Sequence, residues 1–271
     1  MTKAADGGAL EAAYQRGLAA EKAGDADKAA EAYREVLRLD PADHGGVSVR
    51  LASIDRAPDP ERAPEAYVRM LFDQHAAQFD EILVAQLGYR VPEMIADAIR
   101  AMDLGSFGRS LDLGCGTGLV AEALSDIAGN LTGVDLSEEM LAEADARGGY
   151  EQLFVGDAVQ FLAEEDDRFD LIVAADVLPY LGALEEFFAA LRSCLSAGTV
   201  VAFSTETMSE KDFDQRGWRV GPKARFAHAE SYIRARLAEN ALNVLEMQNI
   251  TVRHEDGVPV AGHLVIARSA V

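Results

Sequence analysis

A glycine-rich loop is the strongest chemical signal in the chain. Gly114, Gly116 and Gly118 alternate with other residues within the segment 111–118. Glycine lets the backbone turn tightly and lets a ligand approach it without a side chain in the way. A dinucleotide-binding fingerprint would place a further glycine where this chain has Leu119, and pyrophosphate binding depends on that glycine. The spacing therefore favours a ligand other than NAD.

Acidic residues end the two apolar runs that follow this loop. Asp135 ends the first run and is placed to accept hydrogen bonds from both hydroxyls of a ribose. Gly156 and Asp157 end the second run, where the carboxylate could accept a hydrogen bond from an adenine amino group. Ser137 and Asp157 also suit the N-caps of helices. That alternative explains part of the pattern but not the glycine loop.

Three residues are candidate general bases. His228 is the first, because its ordinary pKa lies near neutrality; the alternative is a histidine in the core or at a helix start. Asp176 and Tyr180 are the second candidates, and Asp176 could instead cap the next turn. Arg253 and Glu255 are predicted to form a structural pair near a hairpin turn.

A basic stretch, residues 215–229, stands out in an acidic chain. It lacks Asp and Glu, and its basic residues are Arg216, Arg219, Lys223 and Arg225. We expect Arg219 and Arg225 to bind an anionic group of a substrate, since guanidinium groups pair with carboxylates and phosphates. Trp218 is predicted to line the same pocket or to pack a lid. Surface salt bridges to neighbouring acids are the alternative for the whole stretch.

The elements that must position these residues alternate between apolar runs and helical stretches from Ser110 onward. This alternation is typical of βαβ units and a parallel sheet. The predicted strands are 110–113, 131–135, 151–155, 170–175 and 200–204, and the helices between them begin near Leu119, Ser137, Ala158 and Leu184. A helix over 230–240 follows, and strands over 244–252 and 262–267 form a hairpin. The hairpin predicts an antiparallel addition to the parallel sheet.

The segment from about Leu10 to Leu39, with Pro41 after it, resembles a tetratricopeptide repeat. The repeat-like positions are Gly17, Gly24, Ala29, Tyr33 and Pro41, whereas Arg16 stands where a leucine is expected. A lone repeat cannot bury its own apolar face. It is therefore predicted to pack on the main domain or on a second subunit, the latter giving a homodimer through the N-terminal helices. Too few repeats are present for a peptide-binding groove.

The glycine loop resembles the first motif of the class I S-adenosylmethionine-dependent methyltransferases. Asp135 and Asp157 match the ribose and adenine positions of that family. The whole chain resembles bacterial predicted methyltransferases with an N-terminal tetratricopeptide repeat, most clearly over 71–80 and 169–178. The resemblance implies an α/β fold with a Rossmann-like seven-stranded sheet whose last strand is antiparallel, an N-terminal α-helical repeat and a helical lid. The predicted regions are 1–57 (repeat), 58–105 (linker and lid) and 106–271 (S-adenosylmethionine-binding domain).

The resemblance also assigns residues to the cofactor. Asp112 would orient the methionine amino group, and the loop backbone would lie against the methionyl part. Phe72, in the lid, would present an aromatic face to the sulfonium, with core packing as the alternative. Leu136 and Ala158 would hold the adenine from opposite sides. The cofactor-binding residues predicted in this way are Phe72, Asp112, Gly114, Cys115, Gly116, Asp135, Leu136, Met140, Gly156, Asp157, Ala158 and Ala175.

Composition narrows the partners. The formal net charge is −21, which disfavours nucleic acid because its phosphates need clustered Lys and Arg. The sequence contains no run of 18 apolar residues, so it predicts no membrane span. The N-terminal residues lack an apolar leader segment, so no signal peptide is predicted. We expect a cytoplasmic protein in which Cys115 and Cys194 stay reduced. No residue pattern predicts a metal site.

The sequence thus predicts methyl transfer from S-adenosylmethionine to a small, anionic metabolite through an oxygen, nitrogen or carboxyl acceptor. Two alternatives remain. One is a protein methyltransferase that recognises its substrate through the helical repeat. The other is a non-catalytic adaptor that binds S-adenosylmethionine.

Overall fold

The N-terminal part of the protein is a three-helix repeat. The computed structural model describes residues 2–271, and side chains from residue 7 onward. The three helices are α1 (Thr2–Lys22), α2 (Ala26–Leu39) and α3 (Val47–Ser53). Asp25 caps α2 by accepting a hydrogen bond from the Lys28 backbone N–H at 3.1 Å. Gly17 lets α1 approach α2 closely, because a side-chain carbon there would lie 2.3 Å from the Tyr33 ring.

A helical lid connects the repeat to the sheet. It consists of α4 (Glu65–His75), a 3₁₀ turn (Ala76–Gln78), a π-helical turn (Glu81–Gln86) and α5 (Val91–Ala101). Pro92 in the first turn of α5 suits a helix start, where no backbone N–H is needed. π-helical turns are rare in proteins, and those that do occur are often found at functional sites.

Five parallel strands form the centre of the sheet, in the order β3-β2-β1-β4-β5. They are β1 (Ser110–Leu113), β2 (Leu131–Asp135), β3 (Gln152–Val155), β4 (Leu171–Ala174) and β5 (Val200–Glu206). The helices that connect them are α6 (Leu119–Ala123), α7 (Glu138–Arg147), α8 (Ala158–Glu164) and α9 (Glu185–Ser193). The predicted strands and helix starts agree with these bounds to within two residues.

A long hairpin completes the sheet on the β5 side. After α10 (Glu230–Glu239), β8 (Leu242–Glu255) pairs with β9 (Val258–Ser269), and β9 pairs with β5 in antiparallel register. Seven of the described strands thus follow the order β3-β2-β1-β4-β5-β9-β8. This order confirms the predicted seven-stranded sheet with an antiparallel last strand.

The stretch between β5 and α10 contains two strands that the sequence analysis did not predict. β6 (Trp218–Val220) pairs with β7 (Phe226–His228), and β7 meets β5 at Glu206. Each strand has three residues, and Gly221 and Pro222 lie between them. Runs this short carry too little alternation to be recognised as strands.

The hydrophobic core lies on both faces of the sheet. One cluster includes Phe187, Phe188 and Phe203 and extends to Val49 and Ala52 of α3, so the repeat packs on the main domain. The other cluster lies under α5. Among the described residues, no helix has both the length and the apolar character of a membrane span.

Candidate active site

A cavity of about 300 Å³ lies between the lid and the carboxyl ends of β1, β2, β3 and β4. Open α/β sheets bind ligands beyond the carboxyl ends of their strands. The cavity touches ten of the twelve predicted cofactor-binding residues: Phe72, Gly114, Cys115, Gly116, Asp135, Leu136, Gly156, Asp157, Ala158 and Ala175. The other two, Asp112 and Met140, are fully buried behind this lining.

The glycine loop has the backbone that its sequence requires. Gly114 and Gly116 have φ angles of 64° and 55°, in the left-handed region that favours glycine. A side-chain carbon on Gly114 would lie 2.5 Å from Val177, whereas one on Gly116 would meet open space. Gly116 donates its backbone N–H to Oδ2 of Asp135 at 2.9 Å. The loop therefore presents bare backbone to the cavity and is tied to the neighbouring strand end.

Asp112 is a buried carboxyl with one free oxygen. Its Oδ2 accepts a hydrogen bond from the Tyr150 hydroxyl at 2.7 Å, and Oδ1 has no partner among residues 7–271. Burial raises the pKa of Asp112 to about 7, with Asp135 adding to the rise and the Tyr150 hydrogen bond opposing it. A buried, unpaired acceptor is costly and suits a cationic ligand group.

Asp135 is held by two backbone donors at the end of β2. Its Oδ1 accepts from Ser137 and its Oδ2 from Gly116, both at 2.9 Å. Burial raises the pKa of Asp135, and these backbone hydrogen bonds oppose the rise. Each carboxylate oxygen has a second lone pair, so the group can also accept from two adjacent hydroxyls in the cavity.

Asp157 serves mainly as a helix cap. Its Oδ1 accepts from the backbone N–H groups of Val159 and Gln160, both at 3.0 Å, and its Oδ2 pairs with Arg62. The capping alternative is therefore confirmed for Asp157. The adenine contact stays a prediction, and it would have to be made by an oxygen that already has a partner.

Phe72 lies at the centre of an aromatic cluster in the cavity wall. Its ring meets those of Phe79 and Tyr180 edge to face, with centroid distances of 5.8 and 5.4 Å. Aromatic pairs prefer such geometry. Phe72 is thus both a packing residue and a cavity residue.

An ionic network at the cavity joins the ends of β4 and β5 to the hairpin. Arg253 donates to Asp176 at 2.8 Å, to Glu255 at 2.9 Å and to Glu206. Arg225 donates to Glu206 at 2.6 Å and to Glu255. We call these five residues the acceptor-end network. All of them except Glu206 line the cavity.

Burial and charge act in opposition within this network. Burial disfavours the charge on Arg253, but Asp176 and Glu206 outweigh it and raise its pKa. Burial raises the pKa of Glu206 in spite of its two arginine partners. For Glu255, which is less buried, the arginines prevail and lower the pKa.

The candidate bases do not all reach the cavity. Asp176 and Tyr180 line it. His228 is fully buried in the core, where its ring stacks on Tyr232 and its Nε2 lies 3.1 Å from the Gly182 carbonyl oxygen. Burial lowers the pKa of His228 to about 4. The structure thus places His228 with the core residues, which was the alternative for this position.

The basic stretch is largely neutralised by carboxylates. Arg216 pairs with Asp59 and Asp214, and Arg219 pairs with Asp55. Trp218 is buried against Phe226 rather than in the cavity lining. Lys223 pairs with Asp256. These contacts favour the salt-bridge alternative for the stretch, with Arg225 as its cavity residue.

Sequence reasoning did not assign Glu206, Tyr89 or Arg62 to the site. Glu206 ends the apolar strand β5, and a charged residue at a strand end was the signal that identified Asp135. Arg253 and Glu255 do form the predicted pair, at 2.9 Å, but they also line the cavity. Their connection to Asp176 spans 77 positions in sequence, which no local pattern reveals.

Comparison with known families identifies two parts of the chain. Residues 111–203 match the family described as "Methyltransferase domain". Residues 10–43 match the family described as "Tetratricopeptide repeat".

Two curated relatives match parts of the chain. Over 98 residues it is 30% identical to ubiquinone biosynthesis O-methyltransferase of Coxiella burnetii (strain Dugway 5J108-111), covering 35% of this chain and 42% of that protein. Over 168 residues it is 26% identical to malonyl-(acyl-carrier protein) O-methyltransferase of Enterobacter lignolyticus (strain SCF1), covering 60% and 66%. The chain thus spans less than half the length of the first relative.

Solved structures share the fold. The N-methyltransferase NodS from Bradyrhizobium japonicum WM9, in complex with S-adenosyl-l-homocysteine, aligns with a TM-score of 0.58 and 20% identity over 75% of this chain and 99% of that chain. A S-adenosylmethionine-dependent methyltransferase from Clostridium acetobutylicum ATCC 824 aligns with a TM-score of 0.54 and 20% identity over 74% and 100%. Residues 111–203 thus match a methyltransferase domain model, the sheet has the Rossmann-like fold of these solved structures, and a match to the tetratricopeptide repeat precedes it.

Proposed function

We propose that the protein transfers a methyl group from S-adenosylmethionine to a small-molecule acceptor. The observation that carries this proposal is the cavity at the strand ends, where the bare backbone at Gly116 lies beside the Asp135 carboxylate, bonded to it at 2.9 Å. A carboxylate there suits ribose hydroxyls, and a loop without side chains suits close approach of a ligand.

The buried groups fit the rest of the cofactor. The unpartnered Oδ1 of Asp112 would accept from the methionine ammonium, directly or through water. Leu136, Ala158 and Val159 all lie in the lining and would give the adenine apolar contacts. When bound, the cofactor would supply a methyl group on a positively charged sulfur that leaves with the electron pair of the broken bond. The protein's part is to align the acceptor and exclude water.

Enclosure by the lid supports a small molecule as the acceptor. The lid residues Phe72, Leu83 and Leu87 and the hairpin residue Arg253 line the same cavity as Gly116. The basic stretch led to the expectation of an anionic acceptor. Of its basic residues only Arg225 lines the cavity, and Arg225 is already paired with Glu206 and Glu255. We therefore propose a small molecule and do not require it to be anionic.

Calorimetry with S-adenosylhomocysteine tests cofactor binding. We expect Asp135→Ala to weaken binding about tenfold or more, because it removes an acceptor of ribose hydroxyls. Asp145→Ala, on the exposed face of α7, is the control and should bind like the wild type. Absence of binding by the wild-type protein would contradict the proposal.

Turnover identifies the acceptor class. Cell extract incubated with the protein and methyl-labelled S-adenosylmethionine is separated into metabolites and macromolecules. We expect one labelled methyl group on a metabolite. Label on protein alone would support the protein-methyltransferase alternative, and binding with no transfer to either fraction would support the adaptor.

A further inference from the structure

Asp176 has an unusual backbone and an unusual environment. It lies two residues after the end of β4, lines the cavity and has a φ angle of 64°. Non-glycine residues in this left-handed region are uncommon and strained, and such strain concentrates at functional sites. The Asp176 backbone N–H donates to the Ser204 hydroxyl at 2.9 Å. The strained position is thus held by the neighbouring strand β5.

Arg253 fixes the side chain of Asp176 through one oxygen only. Its Nη1 donates to Oδ2 at 2.8 Å, while its Nε and Nη2 are used by Glu255 and Glu206. Oδ1 of Asp176 is buried without a partner among the described side chains. Leaving a buried carboxylate oxygen unpaired is unfavourable, so this position is complementary to a hydrogen-bond donor.

The charge around this oxygen disfavours an anion. The acceptor-end network has two guanidinium groups, of Arg225 and Arg253, and three carboxylates, so its formal charge is one negative unit. Like charges brought together in a poorly solvated site repel strongly. A carboxylate or phosphate on the acceptor would meet that repulsion, whereas a neutral O–H or N–H group would not.

The cavity that contains Asp176 and this network also has apolar and aromatic lining residues. Leu83 and Leu87 of the lid, Tyr89 and Tyr180 all line the cavity, and Tyr89 is buried. Burial raises the pKa of Tyr180 well above its ordinary value, so its hydroxyl stays neutral. These walls suit an apolar body rather than a sugar or a phosphate.

From this geometry we infer that the methyl acceptor is an apolar molecule whose neutral O–H or N–H donates to Oδ1 of Asp176, with Arg253 as the residue that positions that carboxylate. The inference rests on the proposed methyl transfer and names its acceptor class. As the acceptor atom bonds to the methyl group, its proton passes to Oδ1 of Asp176, and the sulfur retains the electron pair of the broken bond. A carboxylate acceptor would need no such proton transfer.

Matched fragments test the acceptor class. para-Propylphenol, para-propylaniline and para-propylbenzoate share one apolar body and differ in the head group. Their binding to the full-length protein, saturated with S-adenosylhomocysteine, is measured by NMR. We expect the phenol or the aniline to bind about tenfold more tightly than the benzoate, from one hydrogen bond to a charged acceptor.

Substitution of Asp176 ties the preference to its carboxylate. Asp176→Asn keeps the shape and tolerates the left-handed backbone but removes the charge, so the preference over benzoate should fall to about threefold or less. Asp145→Asn is the surface control. Equal or tighter binding of benzoate by the wild type, failure of all three fragments to bind, or an unchanged preference in Asp176→Asn would overturn the inference.

Arg253 is tested by comparing two affinities. Arg253→Gln should weaken binding of the preferred fragment about tenfold, Arg253→Lys should restore part of it, and both should leave S-adenosylhomocysteine binding unchanged. Parallel loss of both affinities would mean a merely structural role and would contradict the positioning role. Binding of S-adenosylhomocysteine to the wild type is measured first and separately. If the wild type does not bind it, the proposed function is contradicted. If it binds but does not prefer the phenol or the aniline to the benzoate, only the acceptor class is contradicted.

Discussion

At the scale of single residues, Asp112 is the group whose protonation should respond to the cofactor. Its pKa is raised to about 7 by burial, so at pH 6.5 most of the cofactor-free protein carries a proton there. An α-amino group has a pKa of about 8, so the ligand arrives as an ammonium. An adjacent cation favours the ionised carboxylate, and binding should therefore release a proton.

Calorimetry in two buffers of different ionisation enthalpy measures this release. With S-adenosylhomocysteine at pH 6.5 we expect most of one proton to be released. At pH 8.5 Asp112 is already ionised and most of the free ligand carries a neutral amino group, so binding as an ammonium should take up a proton instead. Asp112→Asn should release none at either pH. Equal proton release by the wild type and Asp112→Asn would show that another group is responsible.

His228 should make the folded protein sensitive to mild acid. Burial lowers its pKa from 6.5 to about 4, so between these values the unfolded chain takes up a proton that the folded chain does not. Stability is therefore lost as the pH falls through this window. From pH 7 to pH 5 the contribution is about 2 kcal/mol.

Urea unfolding of the wild type and of His228→Gln at pH 7 and pH 5 isolates that contribution. Asp112 and His263 titrate in both proteins and cancel in the comparison. We expect the wild type to lose about 2 kcal/mol more than the variant. The same acid-induced loss in both proteins would contradict this assignment.

At the scale of elements, polar contacts attach the lid and the segment just before it to three strand ends. Asp80 contacts Thr117 after β1, at 2.5 Å, Asp73 contacts Ser137 after β2, also at 2.5 Å, and Arg62 pairs with Asp157 after β3. These strand ends carry the residues that we assign to the cofactor. Lid opening must therefore break contacts at the cofactor's own binding points.

Asp80→Ala should accelerate cofactor release. It removes the hydrogen bond from Thr117 and the ion pair with Arg147, a partly exposed pair whose loss should speed dissociation of labelled S-adenosylhomocysteine about threefold to tenfold. The control is Glu81→Ala in the same segment, where the side chain is exposed. Equal dissociation rates for wild type and Asp80→Ala would show that these contacts do not retain the ligand.

The parallel strands could be predicted from sequence because each is a short apolar run, and glycine or aspartate stands at the end of β1, β2 and β3. The same local chemistry identified Gly116 and Asp135. The lid was predicted as helical, but its π-helical turn over residues 81–86 was not, since one turn of either helix type places apolar residues at similar spacing.

The acceptor-end network could not be predicted from local sequence patterns. Arg253 meets Asp176 across 77 positions and Glu206 across 47, and only the order of the strands brings them together. His228 shows the converse: a residue type suited to catalysis was placed in the core by the β6–β7 strand pair. Residue type and spacing predict chemistry well only when both lie within one element or one loop.

At the scale of the whole molecule, the repeat contacts the lid directly. Gly46, with a φ angle of 63°, precedes α3, and a side-chain carbon there would lie 2.6 Å from the ring of Tyr67 in α4. Phe72 lies further along the same helix and lines the cavity. Displacing Tyr67 should therefore move the cavity wall, so the repeat and the ligand site should be coupled.

Gly46→Ala tests this coupling against a matched control, Gly24→Ala. Both glycines have positive φ, but nothing lies within 4 Å of a side-chain carbon at Gly24. Both variants should lose about 1–2 kcal/mol from backbone strain, seen as a lower Tm. Only Gly46→Ala should also weaken S-adenosylhomocysteine binding, by about threefold to tenfold, since about 1 kcal/mol of lid displacement corresponds to that range. Equal affinities of the two variants for S-adenosylhomocysteine would mean that the repeat is not coupled to the ligand site, because a clash at the contact between the repeat and the lid would then leave binding unchanged.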